Sequence, residues 1–110
     1  MLSKKVLRKQ KNFNSVYRRG SSKCDRYVVL LYRKNGLSYS RTAFVASKKV
    51  GNSVKRNRSR RLMREAYRLN KKEVAAGYDI IFVARNAIND KKYFEVKKSL
   101  LNALSRAKLI

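Results

Sequence analysis

Histidine, proline and tryptophan are all missing from this 110-residue chain. Without an imidazole the chain lacks the side chain that most readily moves protons near neutral pH and the commonest metal ligand. One cysteine, Cys24, excludes an internal disulfide and cannot build a metal cluster alone, so it reads as a small residue on a strand. Acids are scarce too: Asp25, Glu65, Glu73, Asp79, Asp90 and Glu95 stand singly, with no D-x-D or E-x-x-H pair. Acid–base catalysis and metal binding need such groups convergent in space, so neither a catalytic residue nor a metal site is expected in the protein itself. No apolar run is long enough to span a membrane. The basic start, MLSKKVLRKQK, lacks the apolar stretch of a secretory signal, and the chain reads as cytoplasmic, with no membrane partner. Its length suits one domain over 1–110, with 1–9 as a flexible basic N-terminus.

What the chain has in excess is positive charge. Thirty Lys and Arg against six acids give +24, which repels itself in a compact state and favours a polyanionic partner. The apolar residues are needed for a core and are not spare for a membrane-bound helix; nucleic acid is therefore the expected partner. The charge is densest in SKKVGNSVKRNRSRRLMREAYR, Ser47 to Arg68, with nine Lys or Arg in twenty-two positions and Glu65 the one acid.

Four glycines, at 20, 36, 51 and 77, punctuate the pattern. Phe13, Val16 and Tyr17 at i, i+3, i+4 predict a helix from about Gln10 to Arg19, with Gly20 as a left-handed cap. A short strand at Ser21 to Cys24 turns at Asp25 into a stronger one, Tyr27 to Arg33. Asn35-Gly36 signals a hairpin whose second strand is Arg41 to Ser47. Asn52 or Ser53 caps a long helix to about Asn70. YDIIFVA, Tyr78 to Ala84, is apolar on both faces and predicts a central strand covered on both sides. Asn89 or Asp90 caps a last helix to about Lys108, with Tyr93, Val96, Leu100, Ala103, Leu104 and Ala107 as its core stripe.

In the long helix, at about 100° per residue, Arg56, Asn57, Arg60, Arg61, Arg64 and Arg68 share one arc. Leu62, Met63, Ala66 and Leu69 lie opposite, while Lys55 and Arg58 fall off the basic face in the first turns. A solvated helix face usually mixes signs, because opposite charges at i, i+4 stabilise it and like charges destabilise it by a few tenths of a kcal/mol. Stacking Arg56, Arg60 and Arg64 makes sense when phosphate supplies the counter-charge, for which the guanidinium fork is well shaped. The backbone N–H groups at the helix start favour phosphate as well.

The run K-K-V-G-N-S-V-K-R-N-R-S-R-R-L-M-R-E resembles the arginine–asparagine–arginine motif of the bacterial ribonuclease P protein component. N-F-N-S-V-Y-R-R-G, R-Y-V-V-L-L-Y-R and D-I-I-F-V-A-R are similar to that family's first helix, second strand and fourth strand. The resemblance implies an α+β fold in the order αβββαβα, related to a ribosomal protein domain. It has a mixed four-stranded sheet with a split βαβ unit and a left-handed crossover, where right-handed is the default. It also implies a subunit that binds a catalytic RNA and the 5′ leader of precursor tRNA, with no obligate protein partner. Mg2+ would be held mainly by the RNA, which cleaves while the protein alone does not. By the same resemblance Lys55, Arg56, Asn57, Arg58, Arg60, Arg61, Arg64 and Arg68 would face the RNA subunit. Phe13, Tyr17, Val29, Leu31, Lys48 and Lys49 would form the leader cleft. From the stripe alone, without the resemblance, Phe13, Val16 and Tyr17 read first as core contacts pinning a short helix to the sheet. The rival functions are a small ribosomal protein, which would copurify with ribosomal subunits, and a nuclease that cuts without RNA.

Overall fold

The computed structural model describes residues 4–110. Helix α1 (Gln10–Arg19) leads into strands β1 (Ser21–Cys24), β2 (Val28–Lys34) and β3 (Arg41–Val45). Helix α2 (Ser53–Asn70), strand β4 (Tyr78–Ala84) and helix α3 (Tyr93–Arg106) follow. The order is αβββαβα, and the fold is α+β.

The sheet runs β1-β2-β4-β3. β4 is antiparallel to β2 and parallel to β3. The hairpin expected at Asn35-Gly36 therefore does not form. Gly36 does take the left-handed turn conformation, at φ 73°, but the chain passes over the end of β4 and β3 pairs on its far side. The reason lies in β4. Ile80, Ile81 and Phe82 are fully buried, and each side chain of this kind contributes about 1.5–3 kcal/mol when removed from water. An edge position would expose one of its two apolar faces, so β4 takes the central slot beside β2. β3 and β4 are direct neighbours with α2 as their crossover, so no strand intervenes and the βαβ unit is not split.

Strand alternation sends Val28, Leu30, Ile80, Phe82 and Ala84 to one face, where they pack with Met63 and Ala66 of α2 and Val96, Leu100, Ala103 and Leu104 of α3. The other face carries a smaller core of Leu7, Val16, Ala43 and Ile81, with Phe13, Leu31, Val45 and Val83 against it. Of the basic N-terminus, Lys5 to Leu7 lie along the outer edge of β3. The Leu7 N–H donates to the Thr42 carbonyl and the Thr42 N–H to the Lys5 carbonyl, both at 2.9 Å. Leu7 is buried.

Two caps differ from expectation. Gly20 is extended (φ −80°, ψ 172°), not left-handed. Its lack of a side chain serves close approach: a Cβ there would sit 2.5 Å from the Val16 carbonyl oxygen and 2.8 Å from that of Tyr32. Gly20→Ala is expected to destabilise the domain by about 1–3 kcal/mol, the usual cost of overpacking, measurable as a fall in the urea midpoint at unchanged m-value. The last helix begins at Tyr93, not after Asn89 or Asp90. Asn89 Nδ2 donates to the Val50 carbonyl at 2.6 Å, Asp90 adopts φ 65°, and the Lys92 N–H donates to Glu95 Oε2 at 3.0 Å to start the helix.

Asp79 is the buried charged residue among the described residues. Arg41 Nε and a terminal nitrogen grip its two oxygens at 2.8 and 2.7 Å, and Asn35 Nδ2 adds a third bond at 3.0 Å. The hydrogen bonds from Arg41 to Asp79 raise the Arg41 pKa above its ordinary value. The cluster ties β3, β4 and the loop after β2 together at the end of the sheet where β3 begins.

Candidate nucleic-acid interface

Gly51, at φ 139°, ends the turn after β3. Asn52 Oδ1 then caps α2 by accepting from the Lys55 N–H at 3.0 Å. That N–H is thus committed to the cap and not offered to phosphate. Ser59, Met63 and Ala66 are the buried positions of α2, and the Ser59 hydroxyl is absorbed by the Arg56 carbonyl at 2.9 Å.

With that face fixed, Arg56, Asn57, Arg60, Arg61, Arg64 and Arg68 share the solvent side. Among the described residues, no protein group hydrogen-bonds or ion-pairs with the guanidiniums of Arg56 and Arg61. Arg64 lies over the Phe44 ring, 5.7 Å from its centre. Arg60 donates to the Asn57 side-chain oxygen. Arg68 pairs with Glu65, whose carboxyl it holds below the usual carboxylate range. Both partners are exposed, and such a pair holds little against a competing anion. The ridge is therefore one continuous surface with a single counter-charge along it.

Lys55 is exposed beside the ridge, whereas Arg58 is used differently. It reaches across to the Lys91 carbonyl at 2.6 Å, clamping α2 to the turn before α3. Sequence spacing put Arg58 off the ridge but could not reveal a partner 33 positions away.

On the opposite sheet face α1 lies over β2 and β4. Val16, at 1% exposure, carries its packing. Phe13 is half-buried and Tyr17 is 50% exposed, their rings stacked 6.4 Å apart. The core reading of the stripe holds for Val16 and not for Tyr17. Val29 and Leu31 lie half-buried on this same face. Register places Val83 beside Val29 and Val45 beside Val83, with Cys24 at the β1 end of the row. This row is open next to the aromatic pair, and the sequence did not place Val45, Val83 or Cys24 on it because their neighbours depend on strand pairing. Lys48 and Lys49 are exposed in the turn from β3 to α2, between this face and the ridge along the chain.

Four of the six carboxylates are separately engaged. Asp79 is held by Arg41 and Asn35. Asp25 accepts from the Arg26 N–H, the Ser99 hydroxyl and Arg106. Glu65 binds Arg68 and Glu95 caps α3. No three His, Cys, Asp or Glu side chains converge among the described residues, so the groups present do not fit a protein-held Mg2+. Among the same residues no helix is long and apolar enough to cross a membrane.

An arginine ridge on one side, a half-open aromatic and apolar face on the other, and no convergent acids among the described residues suit a surface that meets nucleic acid. The comparisons with known proteins agree. The sequence model of the family described as Ribonuclease P matches residues 1–108. The ribonuclease P protein component of Clostridium botulinum (strain Loch Maree / Type A3) is 48% identical over 102 residues, 92% of each chain. That of Alkaliphilus oremlandii is 43% identical over 104 residues, covering 94% of this chain and 91% of the other. Among solved structures, the RNase P protein of Staphylococcus aureus superposes with a TM-score of 0.88 at 30% identity, over 97% of this chain and 98% of that one. The Thermotoga maritima protein gives 0.84 at 34% identity, over 92% and 96%. The chain therefore belongs to the ribonuclease P protein family, the protein components of an endoribonuclease whose RNA carries the catalysis.

Proposed function

We propose that this chain joins its ribonuclease P RNA through the α2 ridge and holds the 5′ leader of precursor tRNA against the α1 face. The ribonucleoprotein then removes the leader hydrolytically to give the mature 5′ end. The observation that carries this reading is the set of arginines on α2 sharing one face, with Glu65 their one acidic neighbour. Arg56, Arg60, Arg61 and Arg64 would contact phosphates of the RNA subunit, with Lys55, Asn57 and Arg68 at the margins. Arg58 would act through the Lys91 carbonyl, by fixing the ridge on the domain. The Mg2+ ions that activate water in such a reaction would be held by the RNA and the substrate, because no three acids of the chain converge among the described residues. The setting is the cytoplasm, where the RNA partner and precursor tRNA meet.

Phe13 and Tyr17 would meet unstacked leader bases, with Val29 and Leu31 as an apolar floor and Lys48 and Lys49 neutralising phosphates. Stacking on an aromatic side chain contributes about 1–3 kcal/mol per base. Tyr17, half exposed and supported by Phe13, suits that role better than a core role. Reconstitution with a bacterial ribonuclease P RNA is the direct test: the complex cleaves precursor tRNA at low magnesium, and RNA-free protein does not. Tyr17→Ala is expected to weaken precursor tRNA binding by about 1–3 kcal/mol and to leave mature tRNA binding unchanged. Equal losses for both substrates would refute the leader role.

A further inference from the structure

A second groove lies along the outer edge of β3. Its cavity of about 690 Å³ is within the ~300–1,000 Å³ typical of ligand sites. Phe44 and Tyr67 form its aromatic floor, with ring centres 6.0 Å apart. Arg64, Arg68, Lys71 and Lys72 stand along one rim, and no acid lines it. The edge of the sheet is partly open here. Lys5 and Leu7 occupy the N–H and C=O of Thr42. The groups of Phe44, two residues on, point the same way, and no protein donor or acceptor meets them among the described residues. Phe13 and Val45 line this groove as well as the α1 face, so the two surfaces share a wall.

We propose that the groove receives the distal nucleotides of the precursor leader, those leaving the α1 face past Phe13 and rounding the edge of β3; this rests on the leader reading above. Four rim cations call for a polyanion. Aromatic walls and unpaired backbone polar groups suit single-stranded RNA, whose bases can stack and whose 2′-hydroxyls both donate and accept. The shared wall at Phe13 and Val45 selects the leader over an unrelated strand, because a chain leaving the α1 face there enters the groove directly.

The test uses holoenzyme reconstituted with the unaltered chain or with Lys71→Ala/Lys72→Ala. Both lysines are exposed in a short turn after α2, outside the ridge, so the variant folds. Precursor tRNA affinity is measured over a series of leader lengths and salt concentrations. Short leaders, confined to the α1 face, are expected to bind both holoenzymes equally. Lengthening the leader should raise affinity in the unaltered holoenzyme by about fivefold or more, the scale of one stacked base. The double variant should lose most of that rise, together with about 1.4 units of log–log salt slope, from two phosphate contacts at about 0.7 each. Lys71→Arg/Lys72→Arg should restore both. A rise that survives in the alanine variant overturns the inference. So does a variant that binds the RNA subunit more weakly and treats all leaders alike, which would give the groove to the RNA subunit. Tyr17→Ala with a short leader reports on the α1 face alone, so failure of the cleft reading is distinguishable from failure of the groove.

Discussion

Replacing Arg56, Arg60 and Arg64 together by alanine is expected to weaken binding of the RNA subunit by about a thousandfold at moderate salt, and to leave the domain folded. Hydrogen bonds to charged groups contribute about 1.5–3 kcal/mol when desolvated, and the ridge is open, so the lower end applies to each arginine. The three share one helix face one turn apart, where their mutual repulsion costs a few tenths of a kcal/mol per pair. Removing them should therefore leave the free protein equally or slightly more stable. Each lost phosphate contact also reduces the dependence of log K on log salt by about 0.7–0.9, so the slope should flatten by about two to three units. Filter-binding titrations from low to high salt, with circular dichroism of the free variant, measure both. A collapsed spectrum would make these arginines structural, and an unchanged slope would remove the ridge from the RNA interface.

Asp79→Ala is expected to do the reverse, damaging the fold without touching the ridge. Asp79 is 6% exposed and receives three hydrogen bonds, two of them from Arg41. Removing one partner of a buried pair costs about 3–5 kcal/mol, because the other charge is left uncompensated. The Arg41 side chain keeps 20% exposure and can reach water, which points to about 3 kcal/mol. For a domain of this size that is a fall in Tm of more than about 10 °C. The Arg41→Leu/Asp79→Leu double variant should lose less than Asp79→Ala, since no orphaned charge remains. Denaturation should be followed at fixed sulfate, because a chain of +24 is stabilised by any anion that binds its native state. A loss below about 1 kcal/mol for Asp79→Ala would show that Arg41 finds another partner and that the cluster does not anchor β3.

The two variants separate what local pattern reveals from what folding adds. The ridge was legible because helical periodicity is a local property. Once Asn52 starts a helix and Met63 and Ala66 define its buried side, the directions of Arg56, Arg60 and Arg64 follow from 100° per residue. The same holds for α1, for the doubly apolar β4 and for the stripe of Val96, Leu100, Ala103 and Leu104 in α3. The partner's class followed from charge alone. Asp79, by contrast, looked like one scattered acid among six, since its grip by Arg41 depends on a strand pairing 38 positions apart.

The sequence by itself determined the kind and order of the main elements, the basic face of α2 and the central character of β4, because each rests on neighbours within a turn or a strand, and its net charge pointed to a polyanionic partner. The tertiary structure alone decided that β3 lies outside β4 and not beside β2, that Gly20 serves close approach, and that Arg58 clamps while its neighbours stay open. It also decided which valines line the α1 face and that the edge of β3 forms a groove. These all depend on which distant segments share a sheet, and that is settled by burying both faces of β4 at once, a competition among non-local contacts that no local period encodes.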